Sequence, residues 1–214
     1  MIIQWYGQAC FKIQSGDFVM AIDPYGKEIG LTPPRFRANV VLVTHNHHDH
    51  NNADTIAGEP FLITGPGEYE VKGAYVSGIE TFHDKSQGRE RGMNTIYKIS
   101  LEDITIVHLG DFGEGVLRDE TVDAIGNTDV LMMPVGGVYT IDAEEAARVV
   151  KQIEPRIVIP MHYNIDGLAV KLGGVGAFLK EVGASGTIAQ EKFTIKKKDL
   201  SDDAKTRIVV LKTG

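Results

Sequence analysis

The chain holds a single cysteine, Cys10, so neither an intrachain disulfide nor a cysteine-rich zinc site can be built. It has no uninterrupted apolar run of about 18 residues, which excludes a membrane-spanning helix. Basic residues are in deficit: 22 Lys and Arg stand against 29 Asp and Glu, a net charge of -7. Phosphate backbones are gripped by clustered Lys and Arg, so a broad nucleic-acid surface is not expected. The opening Met1-Ile2-Ile3-Gln4-Trp5-Tyr6 lacks the basic stretch, apolar segment and cleavage site of an export signal, and a cytoplasmic location is the expectation. Low-complexity tracts, repeats and interdomain linkers are also missing. With an apolar fraction of 43% the chain can bury a full core, and one domain over 1–214 is expected.

Histidine is scarce as well, but it is not scattered. Four of the seven histidines fall in His45-Asn46-His47-His48-Asp49-His50, directly after the apolar run Val41-Leu42-Val43. That run reads as a buried strand, and imidazole with carboxylate suits zinc and other borderline divalent metals. His45 and His47 can converge from a tight loop, while Asp49 and His50 can face a second ion.

The surrounding pattern is strand-rich. Strands are expected at 2–6, 9–14 and 17–22, the last ending in Asp23-Pro24, and a turn or two of helix at 51–57. Strand 61–64 leads into hairpins 68–71/74–81 and 95–100/104–107. Residues 84–92 are polar and hold two glycines, which predicts a mobile surface loop. After 119 the rhythm changes to alternating helix and strand: helix 119–125, strand 129–133, a helix capped by Asp142 with Glu145 and running to 152, and strand 156–159. A helix over 170–182 and late strands at 192–197 and 207–211 follow. This mixture fits a layered α/β sandwich with 1–125 and 126–214 as its halves. His45, His83, Asp111 and His162 each lie just past an apolar strand, where loops of such a fold converge.

Several residues stay open on this reading. Asp23 is either an Asx-type turn before proline or a partner behind the metal ligands. Arg89 or Arg91 either reaches a substrate phosphate or carboxylate, or belongs to a solvated loop. Tyr163, and Gly136-Gly137 with Tyr139, are candidate pocket walls. Cys10 reads as a buried, inert thiol.

His45-Asn46-His47-His48-Asp49-His50 resembles the HxHxDH signature of the metallo-β-lactamase fold superfamily. His83, Gly110-Asp111 and His162 resemble its later landmarks. Trp5-Tyr6-Gly7, Ile22-Asp23-Pro24, His108-Leu109-Gly110-Asp111, Pro134-Val135-Gly136-Gly137 and Ile159-Pro160-Met161-His162-Tyr163 are most similar to compact bacterial metal-dependent hydrolases related to the ascorbate-phosphate lactonases. The resemblance implies a four-layer αββα sandwich with the site at one edge, between the sheets. It implies His45, His47 and His83 on one ion, Asp49, His50 and His162 on a second, and Asp111 bridging. His48 would be spare. His108, a rival to His83, would instead hydrogen-bond near Asp111. Gln8 departs from the pattern, since many such proteins have histidine there.

The implied activity is hydrolysis by a hydroxide shared between two divalent metals, two Zn2+ or alternatively Mn2+ or Fe2+, with Asp49 and Asp111 orienting it. The substrate would be a small, anionic ester, lactone or phosphoester, such as a phosphorylated sugar lactone. A phosphodiesterase or nuclease acting on nucleotides or RNA is the alternative, and a metal-stabilised structural or interaction protein is the non-enzymatic one. A homo-oligomer is compatible with all three.

Overall fold

Apolar runs of period two and short continuous apolar runs become thirteen strands in two sheets of the computed structural model, which describes residues 1–200 and 205–214. The first sheet opens with an antiparallel meander, β1 (Ile2–Gly7), β2 (Cys10–Ser15) and β3 (Phe18–Ile22). It continues with β4 (Val40–Leu42) and β5 (Phe61–Ile63), both parallel to β3. The second sheet repeats the plan. Its meander is β6 (Gly67–Val71), β7 (Ala74–Phe82), β8 (Met93–Leu101) and β9 (Ile104–His108). Helix α1 (Asp119–Ile125) then leads to β10 (Val130–Pro134), and α2 (Ala143–Ile153) to β11 (Ile157–Met161), both strands parallel to β9. After α3 (Val175–Glu181), β12 (Phe193–Thr194) returns to the outer edge of β1, and β13 (Arg207–Ile208) joins β11.

The division therefore falls between β5 and β6, near residue 65, not at 125, and each sheet is completed by a late strand. The change of rhythm after 119 marks the passage from meander to parallel crossovers inside the second sheet, not a boundary between halves.

Burial explains the layers. β4, β10 and β11 are buried along their whole length, as strands covered on both faces must be. Their inner faces merge with Trp5, Phe11, Ile96 and Ile106 in one large core. Outside the second sheet, Ile125, Val149 and Phe178 bring the three helices onto that same core. The Asp142 capping box is formed, with the Asp142 carboxylate accepting from Glu145 N–H and Glu145 accepting from Asp142 N–H. Over the first sheet, the outer layer is thin among the described residues: Phe36, Ala38 and Ile56, with the 3-10 turn Ala53–Thr55, cover Ala21, Val41 and Val43.

Several expected elements differ: the late strands shrink to Phe193–Thr194 and Arg207–Ile208, and the helical turns at 51–57 to Ala53–Thr55. The helix foreseen over 170–182 is confined to 175–181, because the preceding segment is tied down as backbone: Gly173 N–H donates to Gly136 O, and Ala169 N–H to Ile29 O. Residues 84–92 are not a loose loop, as described below.

One side chain stitches the sheets together beside the ligand-bearing loop. The buried Tyr97 hydroxyl on β8 donates to Val43 O at 2.8 Å, just past β4. Tyr97→Phe leaves that carbonyl with a lost partner and should lower stability by about 1–2 kcal/mol in urea unfolding. An unchanged midpoint would mean the bond contributes nothing net.

Candidate metal centre

Strands β3, β4, β7, β9 and β11 all run toward one edge of the sandwich, and their carboxyl ends deliver Asp23, His45, His83, Asp111 and His162 there. The convergence is tight. A single oxygen, Asp111 Oδ2, lies 3.3 Å from His83 Nε2, 3.3 Å from His162 Nε2, 3.4 Å from His50 Nε2 and 4.0 Å from His45 Nε2. Among the described residues, three overlapping trios have ligand atoms within 4.8 Å of one another: His45, His47 and His83; His45, His50 and Asp111; and Asp49, His50 and His162.

Behind the ligand atoms is a set of fixed partners. Asp23 is fully buried and accepts from Thr44 N–H at 2.8 Å, Thr44 Oγ1 at 2.7 Å and His50 Nδ1 at 3.0 Å. Since the Thr44 hydroxyl donates to Asp23, it accepts from His45 Nδ1 at 3.0 Å. One carboxylate thus sets the tautomer of two histidines and turns both Nε2 atoms toward Asp111. Asn94 performs the same service for Asp111: its Oδ1 accepts from Asp111 N–H at 2.9 Å and its Nδ2 donates to Leu109 O at 2.9 Å. Gly110, with φ of 56°, packs so closely here that a Cβ would collide with Asn94 Oδ1 and Thr44. Gly136 likewise lies against the His162 carbonyl. Gln8, Asp23 and His162, none of them glycine, have φ of 47°, 46° and 50°. Backbone in this uncommon region clusters at functional sites.

The polar accounting shows what these residues fit. Among the described residues, the buried side-chain atoms with no hydrogen-bond partner are Gln8 Oε1, His45 Nε2, His50 Nε2, His83 Nδ1, Asp111 Oδ1 and His162 Nδ1. All six belong to this one cluster. Unpartnered buried polar atoms are costly and rare, and imidazole nitrogens with carboxylate oxygens are the donor set of zinc and similar ions. The residues fit divalent metal.

Electrostatics agree. Burial, then the neighbouring His50, push His45 down to about 2, so its Nε2 is a free lone pair. His47 is also lowered, by burial and then His83. Burial works against the charges of Asp49 and Asp111, yet His50, 3.5 Å from the former, and the latter's neighbours His162 and His50 hold both carboxyls below the ordinary range. Burial would likewise lower His50, but Asp111, Asp23 and Asp49 overcome it and raise the imidazole well above its ordinary value.

Comparison with known proteins gives the family. Residues 2–162 match the beta-lactamase superfamily domain. The chain belongs to the metallo-β-lactamase superfamily of metal-dependent hydrolases. It is 30% identical over 195 residues to a UPF0173 metal-dependent hydrolase of Pyrococcus horikoshii, covering 76% of this chain and 84% of that one. A Thermoplasma acidophilum protein of the same description is 31% identical over 189 residues, covering 76% and 83%. A Thermotoga maritima structure, assigned as a Zn-dependent hydrolase of the metallo-beta-lactamase superfamily, superposes with a TM-score of 0.79 at 31% identity over 99% of both chains. The two-sheet sandwich is thus the αββα fold of that superfamily, with the outer layer over the first sheet reduced.

The other candidate residues fall in different places. His108 is fully buried with both nitrogens engaged: Nε2 donates to Ala9 O at 2.9 Å and Nδ1 accepts from Gly110 N–H at 3.1 Å. Burial pushes its pKa down, matching that neutral form. His48 is exposed. Tyr163 is not a pocket wall; its ring packs 4.9 Å from Trp5 and its hydroxyl donates to Leu211 O, inside the core. Arg89 is exposed and off the cavity, whereas Arg91 and Tyr139 line it. Gln8 lines the cavity; its Nε2 donates to Asp49 Oδ2 at 3.4 Å, while its buried Oε1 has no partner. Sequence reasoning missed Asn94 and Asp84. Asp84 is buried, and its carboxylate gathers the N–H groups of Ser86, Gly88, Glu90 and Arg91 at 2.8–3.1 Å. The signal was present, since Asp84-x-Ser86-x-Gly88 is turn chemistry. Asn94, at the start of a strand, carried none.

Two outcomes follow for metal content. His83→Ala should lose bound metal, whereas His108→Ala, whose hydrogen bonds go to Gly110 and Ala9 and whose ring packs against Phe11, should weaken it by no more than ~10–100-fold. Elemental analysis of reconstituted variants decides, and the reverse order would exchange their roles. Near neutral pH the raised His50 carries a proton before metal binds, and a ligand must be neutral. Zinc binding should therefore release a proton and weaken as pH falls. Calorimetry in two buffers of different ionisation enthalpy checks this, and buffer-independent heats would contradict it.

Proposed function

We propose that this chain, acting as one domain over 1–214, hydrolyses a small ester, lactone or phosphoester with the help of two divalent ions, zinc first and manganese or iron as substitutes. The supporting observation is the pair of trios that share no residue, His45/His47/His83 and Asp49/His50/His162, with Asp111 within reach of both. We assign the first trio to one ion, the second to the other, and Asp111 to both. Bound ions of this kind would lower the pKa of a water toward neutrality and screen an oxyanion.

The chain's own groups divide the remaining work. Asp111, its side chain 3% exposed, is suited to holding its neighbours in place. Asp49 is 21% exposed toward the cavity and is the carboxylate that can take up a proton from an attacking water and return it to the leaving oxygen. Asp23 and Asn94 hold the histidines and Asp111 without touching substrate.

The cavity in front of these residues measures about 400 Å³, within the range for small molecules. A polynucleotide needs a track of Lys and Arg, and Arg91 is the one such residue among those lining the cavity. This favours the small-molecule reading over a nuclease.

The test is zinc reconstitution followed by elemental analysis and a panel of lactones, carboxylic esters and phosphodiesters. Wild-type protein should approach two ions per chain and turn over a member of the panel; Asp111→Ala should lower both occupancy and rate. Fully loaded protein inert toward the whole panel would favour a structural role for the metal.

A further inference from the structure

We propose that Arg91, laid over Tyr139, is the subsite for a negatively charged group on the substrate, a carboxylate or phosphate set apart from the bond that is cleaved. This rests on the hydrolytic reading above and adds the class of molecule that the site selects.

The case begins with what the guanidinium lacks. Among the described residues, no carboxylate lies within ion-pair distance of Arg91. Two acids that share a hollow with it are engaged elsewhere: Glu90 accepts from the Ser86 hydroxyl at 2.6 Å, and Glu145 pairs with Lys85. Arg91 is half-buried and lines the same cavity as His47, His83 and Asp111. Among the described residues it is the only permanently positive side chain there, while Glu28 and Glu90 contribute acid to the rim. A substrate anion that does not lie on the metal ligands has one favourable place.

That place is built. The Arg91 guanidinium carbon is 5.4 Å from the centroid of the Tyr139 ring, a cation–π distance. Its backbone is fixed. Arg91 N–H donates to Asp84 Oδ2 at 2.8 Å, the same carboxylate that gathers three more N–H groups of the loop, and His83 N–H closes the loop onto Gly92 O at 3.0 Å. A backbone anchored this way presents the side chain from a fixed point, which reduces the freedom lost on binding. Arg89, two residues earlier, is the internal contrast: the same charge on the same loop, but exposed and off the cavity.

The experiment uses the full, zinc-loaded chain and two lactones sharing one ring, neutral γ-butyrolactone and anionic 5-oxotetrahydrofuran-2-carboxylate. Wild type should prefer the anionic lactone, with the preference in KM and not kcat. Arg91→Gln should lower the anionic-to-neutral ratio of kcat/KM by ~10–100-fold, the value of a charge-assisted hydrogen bond. Arg91→Lys should fall between the two, and Arg89→Gln should keep the wild-type ratio. Calorimetry with 2-hydroxyglutarate and with inorganic phosphate provides a readout independent of turnover, and the ligand that weakens more in Arg91→Gln identifies carboxylate or phosphate as the group recognised. Anion binding that depends on Arg91 without turnover of either lactone upholds the subsite and removes the lactonase reading. Turnover of both lactones at a ratio indifferent to Arg91, an equal fall in Arg89→Gln, or no Arg91-dependent difference in binding or turnover, overturns the subsite.

Discussion

The buried carboxylate of Asp23 is the constraint on which the site depends. It sits at the end of β3 in a left-handed conformation, with its own N–H on Leu42 O and its oxygens on Thr44 and His50. A charge with no exposure to water is tolerable only when it is surrounded by donors, and here three are supplied by the neighbouring strand end and the histidine loop. Satisfying that charge and aiming His45 and His50 are therefore one and the same arrangement. Parallel pairing of β3 with β4 makes it possible, because it brings Asp23 and Thr44 level at one edge.

Asp111 presents the opposite situation. Four imidazoles surround one of its oxygens while the other has no partner, and its N–H and preceding turn are clamped by Asn94. The scaffold holds these groups where their lone pairs face one another, a geometry that hydrogen bonding alone does not satisfy. Free energy lost there on folding is recovered when cations bind, so the stability of this protein and its metal supply are linked quantities.

Much of this was legible in the sequence because it is local. The ligand-bearing loop, the Asp142 capping box and the meander at 2–22 are written in adjacent residues. Tyr97 and Asn94 act across the sheets or between strand ends, and nothing beside them in the chain announces it. Asp23 could be read equally as a turn residue, and its three donors lie 21 to 27 residues further on. The helix over 170–182 is shortened for a similar reason: Ala169, just before it, is bound to Ile29 and Gly173, within it, to Gly136, a tertiary demand that outweighs local propensity. His108 and His83 look alike in sequence, since each follows a strand; only the Ala9 carbonyl and Gly110 N–H distinguish them.

The return of β12 to β1 has a consequence for how such a protein is made. Residues 193–194 cover the edge of the strand that begins at Ile2, and Ile195 N–H reaches Met1 O. During synthesis the first sheet therefore waits with one flank unpaired while most of the polypeptide is still to come, and unpaired flanks invite association with other nascent chains. His83 leaves the ribosome about eighty residues ahead of His162, and His45 and His47 earlier still, a lag of several seconds at ordinary translation speed. A cell with abundant metal can thus offer an ion to the early ligands before Asp111 and His162 exist, and the timing of emergence, as well as affinity, bears on which metal is taken up first.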